Sequence, residues 1–276
     1  MKRITENVYV ETGIFACNLG LITTNEGNIL IDTPECPTDV LKYRDEVGKK
    51  GDIRYLINTE DHPDHAYSSR FFPGILITHQ KTRETLANAK TDMFVKRMGE
   101  LDPEGMRYME DFSLRLADIT FRKDLDLFLG GLTLKLFHLP GHSEGGIGVY
   151  IPEEKVVFTS DIVFHRKKTF MHEADPSKWL ESLKRIGALD VDIIVPGHGE
   201  PCNKEYLAEQ AQIVDAWAAS VQSAVDKGLS LEEAYEEIPN PDPHPKQAET
   251  PMTVEGLNRA IINRLYSVYS NQPGQA

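Results

Sequence analysis

The 276-residue chain has few cysteines: Cys17, Cys36 and Cys202 are odd in number, far apart and in no C-x-x-C pair. That excludes a disulfide framework and points to a reducing compartment. Long apolar runs are missing too, and without about 18 uninterrupted apolar residues no segment reads as a membrane span. The N-terminal stretch MKRITENVYVETG turns polar by residue 5, so no signal peptide is expected and the cytoplasm is the expected location. Positive charge is in deficit: 30 Lys and Arg against 43 Asp and Glu give a net charge of −13. Nucleic acid and anionic membrane surfaces are thereby disfavoured as partners, leaving a small-molecule substrate. Neither a nucleophile elbow nor a Gly-rich phosphate loop is present, since Gly141-His-Ser-Glu-Gly145 has the wrong order for the former.

What is present alternates. Short apolar runs at Val8–Val10, Leu19–Thr23, Asn28–Ile31, Ile53–Ile57 and Gly74–Thr78 read as strands, with a helix at Pro37–Lys49. Residues 80–117 carry no strand signal and read as an insert of two helices broken near Asp102-Pro103. Strands resume at Leu125–Leu129, Leu132–Leu139, Gly146–Ile151 and Val156–Thr159, followed by a helix at Pro176–Ala188 and a strand at Asp192–Val195. The rest is helical around a Pro-rich linker, Pro239–Pro245. We therefore divide the chain at 1–205, a layered α/β domain, and 206–276, a helical extension packing on it. Leu257, Ile261, Ile262, Leu265 and Val268 share one helical face, which reads as core with a homodimer contact as the alternative.

The chemistry-bearing residues sit where predicted strands end. Thr59-Glu60-Asp61-His62-Pro63-Asp64-His65 follows the strand Ile53–Ile57 directly. Imidazole nitrogen and carboxylate oxygen are the ligands that divalent first-row metals take. Leu139-Pro140-Gly141-His142, Thr159-Ser160-Asp161 and Val195-Pro196-Gly197-His198 repeat the design, twice with Gly before His. A lone Pro-Gly-His is an ordinary turn; four such segments, each closing a strand, point to one metal centre.

These segments resemble the five metal-binding motifs of the metallo-β-lactamase superfamily, in which H-x-H-x-D-H is followed by a distant His, an Asp, and a His in a Gly-His turn. The resemblance covers about residues 5 to 200, and Phe137-His-Leu-Pro-Gly-His-Ser143 is especially typical. It implies a four-layer αβ/βα sandwich with two metal ions at one edge between the sheets. Carried over residue by residue, His62 and His142 belong to the first ion, Asp64, His65 and His198 to the second, and Asp161 bridges them. Zinc is the implied ion, with iron or manganese as alternatives.

One position departs from the pattern: Glu60 stands where the first His is expected. Carboxylates ligate zinc, so Glu60 is read as a ligand of the first ion. Two divalent ions balanced by two carboxylates and a hydroxide keep one net positive charge, which a third carboxylate cancels. A neutral site is a weaker Lewis acid and tilts toward harder ions. The resemblance implies a hydrolase in which a metal-bound hydroxide cleaves an ester, thioester, lactone or amide bond, with Asp64 orienting the water or moving its proton. β-Lactam hydrolysis and an iron-dependent oxidoreductase on the same fold are the rival readings. His165 and His172, in the basic, aromatic loop FHRKKTFMH, are the candidates for touching substrate, while Arg166, Lys167 and Lys168 read as a solvated charged run, with contact to an anionic group on the substrate as the alternative. Asp61 is expected to be solvated.

Overall fold

A computed structural model describes residues 1–15, 17–246 and 252–271. The first half lays down β1 (Lys2–Arg3), β2 (Val8–Glu11), β3 (Leu19–Ile22), β4 (Asn28–Ile31), β5 (Ile53–Ile57), β6 (Ile75–His79) and β7 (Ile119–Phe121) as one sheet in chain order. The strands β1 to β4 are antiparallel. From β4 to β7 they run parallel, because helices carry the chain back between them. Those connections are α1 (Pro37–Gly48), the short α2 (Pro63–Ala66), and the insert helices α3 (Gln80–Asn88) and α4 (Asp92–Leu101).

The second sheet holds β8 (Asp124–Leu129), β9 (Leu132–His138), β10 (Ile147–Ile151), β11 (Val156–Phe158) and β12 (Ile193–Val195), in the order β12-β11-β10-β9-β8. Helix α5 (Pro176–Gly187) links β11 to its parallel neighbour β12. Three helices follow: α6 (Tyr206–Asp226), α7 (Leu231–Glu237) and α8 (Val254–Ser270).

Alternation along the strands builds the layers. Ile29 and Ile31 of β4 share a buried cluster with Leu134 and Leu136 of β9 and with Val149 and Ile151 of β10, between the sheets. Leu30 points the other way, onto Val40, Tyr43 and Val47 of α1. Tyr150 and Val157 face Trp179, Trp217 and Ile261 on the outer side of the second sheet. Strands buried on both faces read as apolar runs, which is what made β4 visible in the sequence, whereas β5 exposes Arg54 between its buried ends. The sheets approach so closely that a Cβ on Gly20 would lie 2.5 Å from the Phe158 ring. The architecture is the four-layer sandwich the sequence implied.

The insert differs from the expectation in where it breaks: its two helices, α3 and α4, part at residues 89–91 and both end before Asp102-Pro103. After α4 stops at Leu101, Asp102 caps a short 3₁₀ segment at Pro103–Tyr108, and Phe94, Met98 and Met109 form a small core of their own with Cys36. β1 and β7 were not anticipated: a Lys-Arg pair at a sheet edge and a three-residue strand carry too little pattern. Leu257, Ile261, Ile262 and Leu265 of α8 are buried, while Val268 is half-buried. Among the described residues no helix is long and apolar enough to cross a membrane.

Candidate metal centre

Strand ends from both sheets converge on one edge. Register places Ile31 beside Ile57 and Phe158 beside Val195, so the residues following β4, β5, β11 and β12 meet there. The loop after β5 enters α2 through Pro63, whose fixed φ and missing N–H suit the first helical position. Gly141 has φ +146°, and a side chain there would collide with the Trp179 backbone, so the turn that aims His142 requires glycine.

The outer nitrogens of two histidines have fixed partners. His142 Nδ1 lies 2.9 Å from the Phe170 carbonyl oxygen, which can only accept, so the proton is on Nδ1. His65 Nδ1 lies 3.0 Å from Asp32 Oδ2, in a network where Thr59 N also donates to Asp32 Oδ1 at 2.7 Å. The Nε2 lone pairs of both therefore point inward.

They point at each other's neighbours and at carboxylates. His142 Nε2 is 3.1 Å from His62 Nδ1 and 3.5 Å from Asp161 Oδ2. His65 Nε2 is 3.2 Å from Glu60 Oε1 and 3.3 Å from Asp161 Oδ1. His198 Nε2 is 3.3 Å from Asp64 Oδ2 and 3.4 Å from Asp161 Oδ2. Two clusters with metal-ligand spacing result, Glu60–His62–His142 and Asp64–His65–His198, with Asp161 reaching toward both. Both Glu60 oxygens, Asp161 Oδ1 and His65 Nε2 are buried without a hydrogen-bond partner. Buried carboxylate oxygens and an imidazole nitrogen converging without hydrogen-bond partners are a donor set that suits divalent metal.

The electrostatics agree. Burial disfavours charge on Glu60, yet the facing imidazoles of His142, His62 and His65 hold its carboxyl down at about 2. Burial likewise opposes an imidazolium at His198, but the Asp161 and Asp64 carboxylates push it up to about 10. Positive charge is demanded here.

Above these residues opens a cleft of about 320 Å³. Its walls are mostly apolar, with Phe15, Phe170 and Met171 on one side and Leu257, Ala260 and Ile261 of α8 on another. Arg97 of α4 and the buried Glu35 beneath it form an ion pair in the wall.

The site residues expected from sequence thus divide. Glu60, His62, Asp64, His65, His142, Asp161 and His198 come together, and His172 lines the cleft with its ring centroid 5.3 Å from that of His62. His165 does not line it: its Nδ1 meets the Glu200 carbonyl at 2.7 Å and its ring packs on Tyr206. Lys168 is corrected outright. It is buried, with Nζ donating to the Asp242 carbonyl at 3.1 Å, because the Pro-rich linker folds over the loop. Neither Arg166 nor Lys167 lines the cleft, and Asp61 is half-buried instead of solvated. Sequence reasoning does not single out Asp32, Thr59, Glu35 or Arg97, nor Glu173, whose Oε2 lies 3.6 Å from His62 Nε2. Asp32 had a signal, an acid directly after the apolar run Asn28–Ile31, the same design as Asp161.

The sequence profile described as the metallo-beta-lactamase superfamily matches residues 12–198. The chain belongs to the metallo-β-lactamase superfamily. It is 27% identical over 293 aligned residues to a linear primary-alkylsulfatase from a Pseudomonas species, covering 90% of this chain and 55% of that protein. A hydroxyacylglutathione hydrolase from Brucella ovis is 32% identical over 95 residues, 34% of this chain and 35% of that one. The solved sec-alkylsulfatase Pisa1 from Pseudomonas superposes with a TM-score of 0.74 at 17% identity, covering 97% of this chain and 49% of the enzyme. The chain thus spans little more than half the length of the alkylsulfatase relative it matches. Superfamily proteins typically bind divalent metals, and this chain carries clusters of His, Asp and Glu side chains that could hold one.

Proposed function

We propose that the protein is a metal-dependent hydrolase that uses a two-ion centre to cleave an ester, thioester, lactone or amide bond in a small molecule with an apolar body. One observation carries this reading: imidazole nitrogens and buried carboxylate oxygens converge at metal-ligand spacing at the floor of an open and largely apolar cleft. When bound, divalent ions supply Lewis acidity, lowering the pKa of water and polarising a carbonyl.

The chain's own residues do the rest. Asp64 is half-buried, lines the cleft and holds Oδ2 3.3 Å from His198 Nε2, so it is placed to accept a proton from an incoming water and return it to the leaving group. His172, at the mouth, offers a hydrogen-bonding ring to the substrate's polar end. The apolar walls exclude water from the reacting bond and set the size of the acyl or alkyl group. Arg97 is the sole Lys or Arg lining the cleft among the described residues, and it offers a guanidinium to an anionic substituent. The alkylsulfatase relatives add sulfate esters of alkyl alcohols to the substrates worth offering.

The test is metal analysis of purified protein followed by assay on a thioester, a lactone, a 4-nitrophenyl ester, an alkyl sulfate and nitrocefin, before and after chelation. We expect turnover of at least one ester-type substrate, lost on chelation and restored by a divalent ion. Turnover that ignores the chelator, or a chain that takes up no metal, refutes the reading.

A further inference from the structure

We propose that Glu60 is a second bridging carboxylate, spanning both metal clusters as Asp161 does, and is not a one-for-one substitute for a histidine at the first. The inference rests on the metal-dependent reading above.

Its two oxygens face different clusters. Glu60 Oε2 lies 3.1 Å from His62 Nδ1 and 3.8 Å from His142 Nε2, both in the first. Glu60 Oε1 lies 3.2 Å from His65 Nε2, in the second. Asp161 also reaches both clusters, with Oδ2 3.5 Å from His142 Nε2 and 3.4 Å from His198 Nε2, and Oδ1 3.3 Å from His65 Nε2. Accordingly Glu60 takes part in two distinct ligand groupings, one with His62 and His142 and one with His65 and Asp161.

A histidine at this position would not do the same. The two ring nitrogens of imidazole diverge, and a neutral ring has one lone pair to give. A carboxylate has two acceptor oxygens side by side.

Burial makes the second contact necessary. Glu60 is fully buried, and neither oxygen has a hydrogen-bond donor. Were Glu60 to serve the first ion alone, Oε1 would remain charged, dry and unpaired, which a folded interior does not tolerate cheaply. A cation on each oxygen removes the penalty. Two carboxylate bridges also link the affinities of the two ions and shift preference toward harder, oxygen-seeking metals.

The decisive measurement is zinc affinity, by chelator competition, in a His142→Ala background that cripples the first cluster. Adding Glu60→His there should weaken the remaining Asp64–His65–His198 site by more than about 100-fold, beyond the roughly 10- to 100-fold that loss of an outer-sphere partner costs, and a smaller fall overturns the proposal. Should the double variant not fold, manganese-loaded wild type and the single Glu60→His variant are compared by electron paramagnetic resonance. Exchange coupling between the two ions should drop in the variant, and equal coupling overturns the proposal. No substrate enters either measurement, so the outcomes separate. A chain that holds both ions but hydrolyses nothing sinks only the functional reading, whereas a second site indifferent to Glu60 sinks only this one.

Discussion

Asp32 Oδ2 lies 3.0 Å from His65 Nδ1, and both side chains are buried. The carboxylate thereby assigns the proton to Nδ1 and leaves Nε2 free to face the cluster. Asp32→Asn keeps the shape but turns an amide N–H toward that nitrogen, favouring the opposite tautomer. We expect metal affinity at the second cluster to fall by roughly 10- to 100-fold, with little change in fold. Chelator competition on the two proteins checks this, and equal affinities would count against the assignment.

Gly197 supports Asp161 by having no side chain. A Cβ there would fall on Asp161 Oδ1 and lie 2.9 Å from the Ser160 carbonyl carbon. Gly197→Ala should therefore displace the carboxylate that reaches both clusters, cost about 1–3 kcal/mol by overpacking, and lower bound metal. Elemental analysis alongside a thermal melt tests both parts. A variant with full metal content would show that Asp161 tolerates the shift.

Glu35, buried in the cleft wall beside the candidate ligand Asp64, gives a pH signature of its own. Burial, followed by the Asp64 charge, raises its carboxyl to about 7 against the pull of Arg97. Because the folded value exceeds the ordinary 4.5, the native state binds the extra proton between those pH values. Wild type therefore loses stability as pH rises from 4.5 to 7, by up to about 3 kcal/mol from this group, and no more above that. Glu35→Gln should flatten that part of the profile, as read from denaturant melts at several pH values. Parallel profiles would mean that Glu35 is ionised throughout.

Ala260 on α8 lines the cleft without touching the metal clusters. Ala260→Trp should fill the apolar wall, raising KM about tenfold for a long-chain ester while sparing an acetyl ester, with metal content unchanged. Kinetics on that substrate pair decide the matter. An equal effect on both would place long chains elsewhere.

Much of the centre was readable in the sequence because its signal is local. A strand that ends on His, Asp or Gly-His announces itself by an apolar run followed by a ligand-type residue, and parallel strands buried on both faces make those runs conspicuous. Asp32 follows the same rule after β4 but lay outside the recognised motif.

The loop FHRKKTFMH shows where such reading stops. His165 and His172 look alike in sequence, yet one turns to Glu200 and Tyr206 and the other lines the cleft. Lys168 looks like a surface cation until Asp242, from the distant linker, covers it. Arg97 and Glu35 come from separate elements and meet only over the site.

Sequence alone determined which ligand-type residues this protein has, their order, and a layered α/β domain that the motif resemblance sharpened to a sandwich, since side-chain chemistry and strand periodicity are properties of neighbouring residues. Tertiary structure decided which nitrogen of each histidine faces inward, which oxygen of Glu60 faces which cluster, and what walls the cleft. Those depend on register and packing between segments far apart in the chain, where no local pattern reaches.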